Sequence, residues 1–167
     1  MNENPLEIVS SINQDHLYNI PGPDYFASAP EGIYSAVYAG AEGYMYFSHP
    51  KIALWYKLLD TDLGENAMVC RRYNVYLLDP KPRGKQRIPN PSFQVSWKYD
   101  LPLEMARLLP GRYMPFHLPH SIPDDFGEIT AKVKVGLSKT DRDRVEKPEG
   151  WQESQIVKIL GISNYKR

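Results

Sequence analysis

Proline is the residue that most restricts what this chain can fold into. Fifteen of the 167 residues are proline, and many of them fall in two stretches, residues 79–92 and 112–126. A proline ring fixes φ and removes a backbone donor, so neither stretch suits a helix or the interior of a sheet. The apolar runs elsewhere are short, and the sequence therefore predicts a mainly β protein with loops at the prolines.

Alternation of apolar and polar residues predicts where the strands lie. Five strands are expected, over residues 32–39, 51–59, 67–78, 128–135 and 154–162. The second and third are expected to form a hairpin, and Gly40–Gly43 is expected to be a turn. The fourth alternates most clearly, with Val133 and Val135 on one face and Lys132 and Lys134 on the other.

One short helix is predicted between the third and fourth strands, over Asp100–Leu109. Asp100 can cap its start, and Pro110 and Gly111 follow its end. The order β-β-β-α-β-β is that of an OB-fold, a five-stranded Greek-key barrel, although other small barrels give a similar order. The predicted organisation is an irregular N-terminal arm over residues 1–31, an OB-fold-like domain over residues 32–162 and a frayed tail over residues 163–167.

Composition excludes several other classes of protein. No apolar run approaches the roughly 20 residues of a membrane span, and the first residues do not resemble a secretory signal. Cys70 is the single cysteine, so neither an internal disulfide nor a cysteine zinc cluster can form. We therefore expect a cytoplasmic protein that does not associate with membranes.

Charge is unevenly distributed although the formal net charge is zero. Residues 1–50 hold six acidic residues and neither lysine nor arginine. The densest basic stretch, residues 71–87, holds six lysines and arginines against Asp79 alone. Such a local concentration can bind a polyanion even when the whole chain is neutral, but it is equally typical of a solvated loop.

The order of these landmarks resembles a family of small OB-fold-like proteins of phages and mobile elements, which are found with recombination or replication genes. The matching segments are Gly32-Ile-Tyr34, Lys51–Leu59, Gly64 with Arg71–Val75, Asp100–Leu109, Ala131–Val135 and Gln155–Ile159. The match covers roughly residues 30–162. The resemblance implies single-stranded DNA as ligand, and recombination or replication proteins as further partners.

Single-stranded nucleic acid requires basic side chains for its phosphates and exposed rings for its bases. The expected binding residues are the strand residues Lys51, Trp55, Lys57, Arg71, Arg72, Tyr73, Lys132 and Lys134, together with the loop residues Lys81, Arg83, Lys85 and Arg87. Trp55 and Tyr73 are the candidates for stacking on bases, although their sequence positions favour a half-buried packing role. Trp97 and Trp151 are expected to anchor loops to the core.

Enzyme motifs are weak, and we expect neither catalysis nor a cofactor. His117 and His120 lie in a proline-rich loop without the zinc-protease frame, and Asp124-Asp125 is typical of an ordinary turn. Cys70 lies within a predicted strand without an adjacent base, as an inert thiol does. An alternative function is a protein-interaction adapter or inhibitor within a larger complex, with the acidic arm as the contact element and the chain itself as a candidate homo-oligomer.

Overall fold

The computed structural model describes residues 20–22, 24–46, 49–77, 93–94, 100–110, 117–118, 124–140 and 143–165. The strands are β1 (Gly32–Tyr46), β2 (His49–Leu58), β3 (Met68–Asn74), β4 (Tyr76–Leu77), β5 (Phe93–Gln94), β6 (His117–Leu118), β7 (Thr130–Leu137) and β8 (Ser154–Ile162). Helix α1 spans Asp100–Leu108, and short 3₁₀ helices cover Gly64–Ala67, Asp124–Glu128 and Glu149–Trp151. The prediction of a mainly β chain with one short helix is confirmed.

The five long strands form one antiparallel sheet in the order β3-β2-β1-β7-β8. Three consecutive strands are thus neighbours, and the fourth long strand returns beside the first, which is a Greek-key connection. β1 pairs with both β2 and β7, so it lies at the centre of the sheet. The predicted hairpin is confirmed by the pairing of β2 with β3.

The prediction of a turn at Gly40–Gly43 is wrong, because β1 continues through these residues to Tyr46 after a β-bulge at Ala39. The register with β2 shifts between Tyr38 and Gly40, leaving Ala39 as the extra residue beside Trp55. A bulge inserts one residue without ending the ladder. It therefore keeps Tyr38 and Ala41 on the same buried side of the sheet, although they are three residues apart.

The remaining differences from prediction lie beside the proline-rich stretches. Strand three was expected to continue to residue 78, but β3 ends at Asn74 and β4 follows as a separate two-residue strand. β4, β5 and β6 form a small second sheet in that order. One of its strands, His117–Leu118, interrupts the loop predicted over residues 112–126.

Edge strands β3 and β8 lie side by side although they do not belong to one hydrogen-bonded ladder. Both are parallel to β1, because each is related to it through two antiparallel pairings. Arg72 on β3 bridges the gap, with Nη1 3.4 Å from Gln155 Oε1 and Nη2 3.6 Å from Glu153 Oε2. The sheet therefore curls until its two edges meet through side chains.

The main core fills the inner side of this curled sheet. Tyr56 and Leu54 of β2, Val133 of β7 and Ile159 of β8 are all buried in it. Helix α1 is attached to β8 by Arg107, whose Nη1 donates to the backbone oxygen of Ile159 at 2.9 Å. The outer side of the sheet is left to solvent or to other parts of the chain.

Candidate nucleic-acid interface

The outer side of β7 and β8 carries a row of exposed lysines. Lys132 and Lys134 alternate with the buried Val133 on β7, and Lys158 of β8 lies directly opposite Lys134. Opposed residues on paired strands lie about 5 Å apart, and alternate residues along one strand about 7 Å apart. We call these three residues the lysine band; the sequence predicted two of its members and missed Lys158.

The lysine band is available to an external ligand. All three side chains are exposed, and within the part of the chain that the structure describes none of them makes an ion pair. Exposed Ile33 of β1 lies opposite Lys134 on the other side, and is 57% accessible. The band is therefore a cationic strip with an apolar margin.

The predicted stacking residue Trp55 lies on the outer side of β2 but is covered. Only 6% of Trp55 is accessible, and it packs with Ala53, Met68 and Cys70. Its Nε1 donates to Glu42 Oε2 at 3.3 Å. The expectation of an exposed ring is wrong, because a segment N-terminal to β1 packs over this side of the sheet.

Arg71 and Tyr73 face inward toward α1, so their predicted exposure is also wrong. Glu104 of α1 is 4% accessible and accepts from Arg71 Nε at 3.2 Å and from Tyr73 Oη at 2.5 Å. The guanidinium also lies 4.8 Å from the centre of the Tyr73 ring. This buried network joins β3 to the helix, and it leaves neither side chain free for a phosphate or a base.

Electrostatics in this network follow from burial. Burial alone would lower the pKa of the Arg71 guanidinium, but hydrogen bonding and attraction to Glu104 outweigh it and the pKa is raised. Burial raises the pKa of Tyr73 well above its usual value, so the phenol stays protonated and can donate to Glu104. The three groups are suited to fixing the helix rather than to binding a ligand.

Arg72 and Lys51 lie at the margin of the covered side and are half-buried. Arg72 contacts Gln155 and Glu153 of the neighbouring edge, as described above. Lys51 Nζ donates to Asn74 Oδ1 at 2.9 Å, and burial followed by repulsion from Arg72 lowers the pKa of its ammonium group. Both residues hold positive charge near the surface, but each already has a polar partner.

The other predicted residues divide into one strand position and one loop. Lys57 lies on the same side of β2 as Trp55 and is half-buried. The predicted loop residues Lys81, Arg83, Lys85 and Arg87 lie outside the described residues. The structure thus brings Lys132 and Lys134 together with Lys158, and separates them from the inward-facing Arg71 and Tyr73.

Trp151 is the most exposed large hydrophobic residue of the described ranges, at 72% accessibility. It ends a 3₁₀ helix in the connection between β7 and β8, where its backbone amide donates to the Pro148 oxygen at 2.8 Å. The expectation that Trp151 anchors this loop to the core is wrong. The residues next to Trp151 in the sequence are mostly polar, and this pattern already indicated that no apolar cluster surrounds the ring.

Comparison with protein-family models, curated proteins and solved structures finds no match to this chain. Among the helices in the described ranges, none is long and apolar enough to cross a membrane. No group of three or more His, Cys, Asp or Glu side chains converges in a metal-binding arrangement within those same ranges. The surface chemistry of the sheet and its loops is thus the basis for a functional proposal.

Proposed function

We propose that this protein binds single-stranded DNA without catalysing a reaction on it, in recombination or replication of a phage or mobile element. The observation that carries the proposal is the lysine band on the outside of a curled Greek-key sheet. We further propose that this sheet is an OB-fold-like barrel. The strand order, the approach of β3 to β8 and the helix between β3 and β7 support that assignment.

The lysine band suits a phosphate backbone. Its three lysines lie on adjacent strands with Cα atoms about 5–7 Å apart between neighbours, and a flexible single strand can follow such a row. Lysine binds phosphate as a point charge and does not read sequence, so the expected binding is tolerant of sequence and sensitive to salt.

Trp151 supplies the ring that the covered Trp55 does not. It lies in the β7–β8 connection, which begins and ends on the two strands that carry the lysine band. A base stacked on an aromatic side chain contributes about 1–3 kcal/mol. Phosphates on the lysine band and one base on Trp151 together would give a sequence-tolerant site.

The test is a titration of the full chain into a fluorescently labelled oligonucleotide of about twenty thymidines, followed by anisotropy at low and moderate salt. A duplex of the same length is the control ligand. We expect tighter binding to the single strand, because only unpaired bases can stack on Trp151. Equal or stronger binding to the duplex, or no binding at low salt, would contradict the proposal.

Trp151→Ala separates stacking from charge. Loss of one stacked base should weaken single-strand binding by roughly 5–150-fold, and Trp151→Phe should retain part of the affinity. Trp151 is highly exposed, so the thermal stability of either variant should match that of the wild type. Unchanged affinity of Trp151→Ala would remove this ring from the site and leave the lysine band to be tested separately.

Protein recognition is a second candidate function, favoured by exposed apolar side chains beside the lysine band. Ile33 of β1 lies opposite Lys134 and is 57% accessible, and Val157 of β8, directly before Lys158, is 38% accessible. A mixed apolar and cationic surface also suits an acidic segment of another protein, such as a recombination or replication protein. Replacing Ile33 and Val157 with serine should then abolish complex formation in size-exclusion chromatography, whereas DNA binding should change little.

A further inference from the structure

We infer that residues 20–29, the N-terminal strap, compete with single-stranded DNA for the outer side of β1, β2 and β3. The inference rests on the proposed function and adds a regulation to it. The strap covers Trp55, and the half-buried Arg72 and Lys51 lie on the same side of the sheet. This covered face holds a ring for a base beside cations for phosphates, which is the combination that a single strand requires.

A few specific contacts hold the strap. Tyr25 packs its ring edge-on against Trp55, with centroids 5.9 Å apart, and its Oη donates to the Met68 backbone oxygen at 2.7 Å. Farther along, the Ala29 amide donates to Ser154 Oγ at 2.8 Å, and the Ser154 amide donates to the Ala27 oxygen at 2.9 Å. These contacts fasten the strap to the first residue of β3 and to the first residue of β8.

The strap has the features expected of a segment that a ligand can displace. Its described residues, 20–22 and 24–29, form neither helix nor strand, and Ile20 and Tyr25 contact the covered face while being only partly buried. Its neighbour Glu153 accepts from the Ala27 amide at 3.4 Å and pairs with Arg72. The Glu153 carboxylate thus lies beside the Arg72 guanidinium, in the position that a phosphate would take.

Bound DNA would replace two of these contacts with contacts of the same kind. A base takes the place of the Tyr25 ring against Trp55, and a phosphate takes the place of Glu153 on Arg72. The strap holds one acidic residue, Asp24, and neither lysine nor arginine, so phosphates are attracted to Lys51 and Arg72 and not to the strap. The apparent affinity is the intrinsic affinity multiplied by the fraction of molecules in which the strap is open.

Hydrogen–deuterium exchange of the full wild-type chain, with and without a saturating oligothymidine, tests this directly. We expect the strap peptide that contains Ala27 and Ala29 to exchange faster in the complex, while peptides from β7 exchange at the same rate or more slowly. Slower or unchanged exchange of the strap in a DNA complex would overturn the inference, and the proposed function would stand.

Tyr25→Ala provides the second arm. Loss of one hydrogen bond and one aromatic contact shifts the strap toward the open state by on the order of tenfold, so single-strand affinity should rise by up to that factor. Tyr165→Ala is the matched control, because Tyr165 is an exposed tyrosine whose Oη reaches a backbone oxygen, that of Leu59, at 3.5 Å. Circular dichroism confirms that both variants are folded before affinities are compared.

The outcomes separate the two claims. Tighter binding by Tyr25→Ala but not by Tyr165→Ala supports the strap as a competitor. Equal affinities for wild type and Tyr25→Ala overturn the inference alone. Absence of single-strand binding in every variant overturns the proposed function, and the inference with it.

Discussion

Replacing Arg71 with leucine should markedly lower the unfolding temperature, because Arg71 neutralises a carboxylate that is almost fully buried. Arg71 Nη2 lies 3.0 Å from Glu104 Oε1, and the accessible fractions of the two side chains are 16% and 5%. Without Arg71, the Glu104 charge retains the Tyr73 hydroxyl but no cation. Asp100 also contacts Arg71, at 3.4 Å, but its side chain is 73% accessible and it adds little.

The magnitude follows from burial. Removing one partner of a buried ion pair costs about 3–5 kcal/mol, and the residual exposure of Arg71 favours the lower end of that range. For a chain of 167 residues, each kcal/mol corresponds to roughly 2–4 °C in Tm. Arg71→Leu should therefore unfold roughly 6–12 °C below the wild type.

Thermal unfolding followed by circular dichroism measures the effect, with urea unfolding as a second method. Lys134→Leu is the matched control, since it removes an exposed cation from the same sheet and should change Tm little. Arg71→Leu combined with Glu104→Leu should recover much of the loss, because an apolar pair can replace a buried ion pair at little cost. A change below about 2 °C for Arg71→Leu, or a double variant less stable than the single one, would refute the reasoning.

Four further predictions concern the buried tyrosines and the thiol. Tyr56→Phe should leave stability unchanged or raise it, because the buried Tyr56 Oη has no hydrogen-bond partner in the described part of the chain. Tyr73→Phe should lower the free energy of unfolding in urea by about 1.5–3 kcal/mol, because it loses the hydrogen bond to Glu104. Burial raises the pKa of Tyr38, Tyr56 and Tyr73, so above about pH 10 the unfolded chain loses these protons before the folded chain does. The free energy of unfolding should therefore fall above about pH 10, by up to about 1.4 kcal/mol per pH unit for each tyrosine. A free energy of unfolding that does not change between pH 9 and 11 would contradict this. Burial also raises the pKa of the Cys70 thiol to about 12, so a thiol reagent at pH 8 should react with the native protein only as fast as it unfolds; rapid labelling of the native chain would contradict the buried placement.

Alternation along the chain predicted the parts of the fold that depend on one strand at a time. Val133 and Val135 are buried and Lys132 and Lys134 are exposed, as their spacing indicated. The bulge at Ala39 could not be predicted in the same way, because Gly40 and Gly43 are equally typical of a turn. Only the pairing with β2 distinguishes the two.

Placement of the candidate site depended on which side of each strand faces the core, and β3 is ambiguous in that respect. Arg71 and Tyr73 alternate with Cys70 and Arg72, and both sets mix polar with apolar groups. Glu104 determines which side of β3 faces inward, because it pairs with Arg71. It lies more than thirty residues further along the chain and is brought to β3 by α1. A local pattern holds no information about such a partner.

The burial of Trp55 could not be predicted from its neighbouring residues in the sequence either. It is buried by Tyr25, which belongs to a segment whose composition indicates only an irregular arm. The exposure of Trp151 and of Lys158 likewise depends on what the rest of the chain leaves uncovered. The strand assignments thus followed from the sequence, whereas the accessible surface depended on tertiary packing.

The most direct test of the account compares the salt dependence of single-strand binding between the wild type and a variant with Lys132, Lys134 and Lys158 all replaced by alanine. Each phosphate contact contributes about 0.7 to the slope of log Kobs against log salt concentration for a single strand. If all three lysines contact phosphates, the slope should become shallower by about 2, with weaker binding at low salt. An unchanged slope in a folded variant would contradict the central claim that the lysine band binds the DNA backbone.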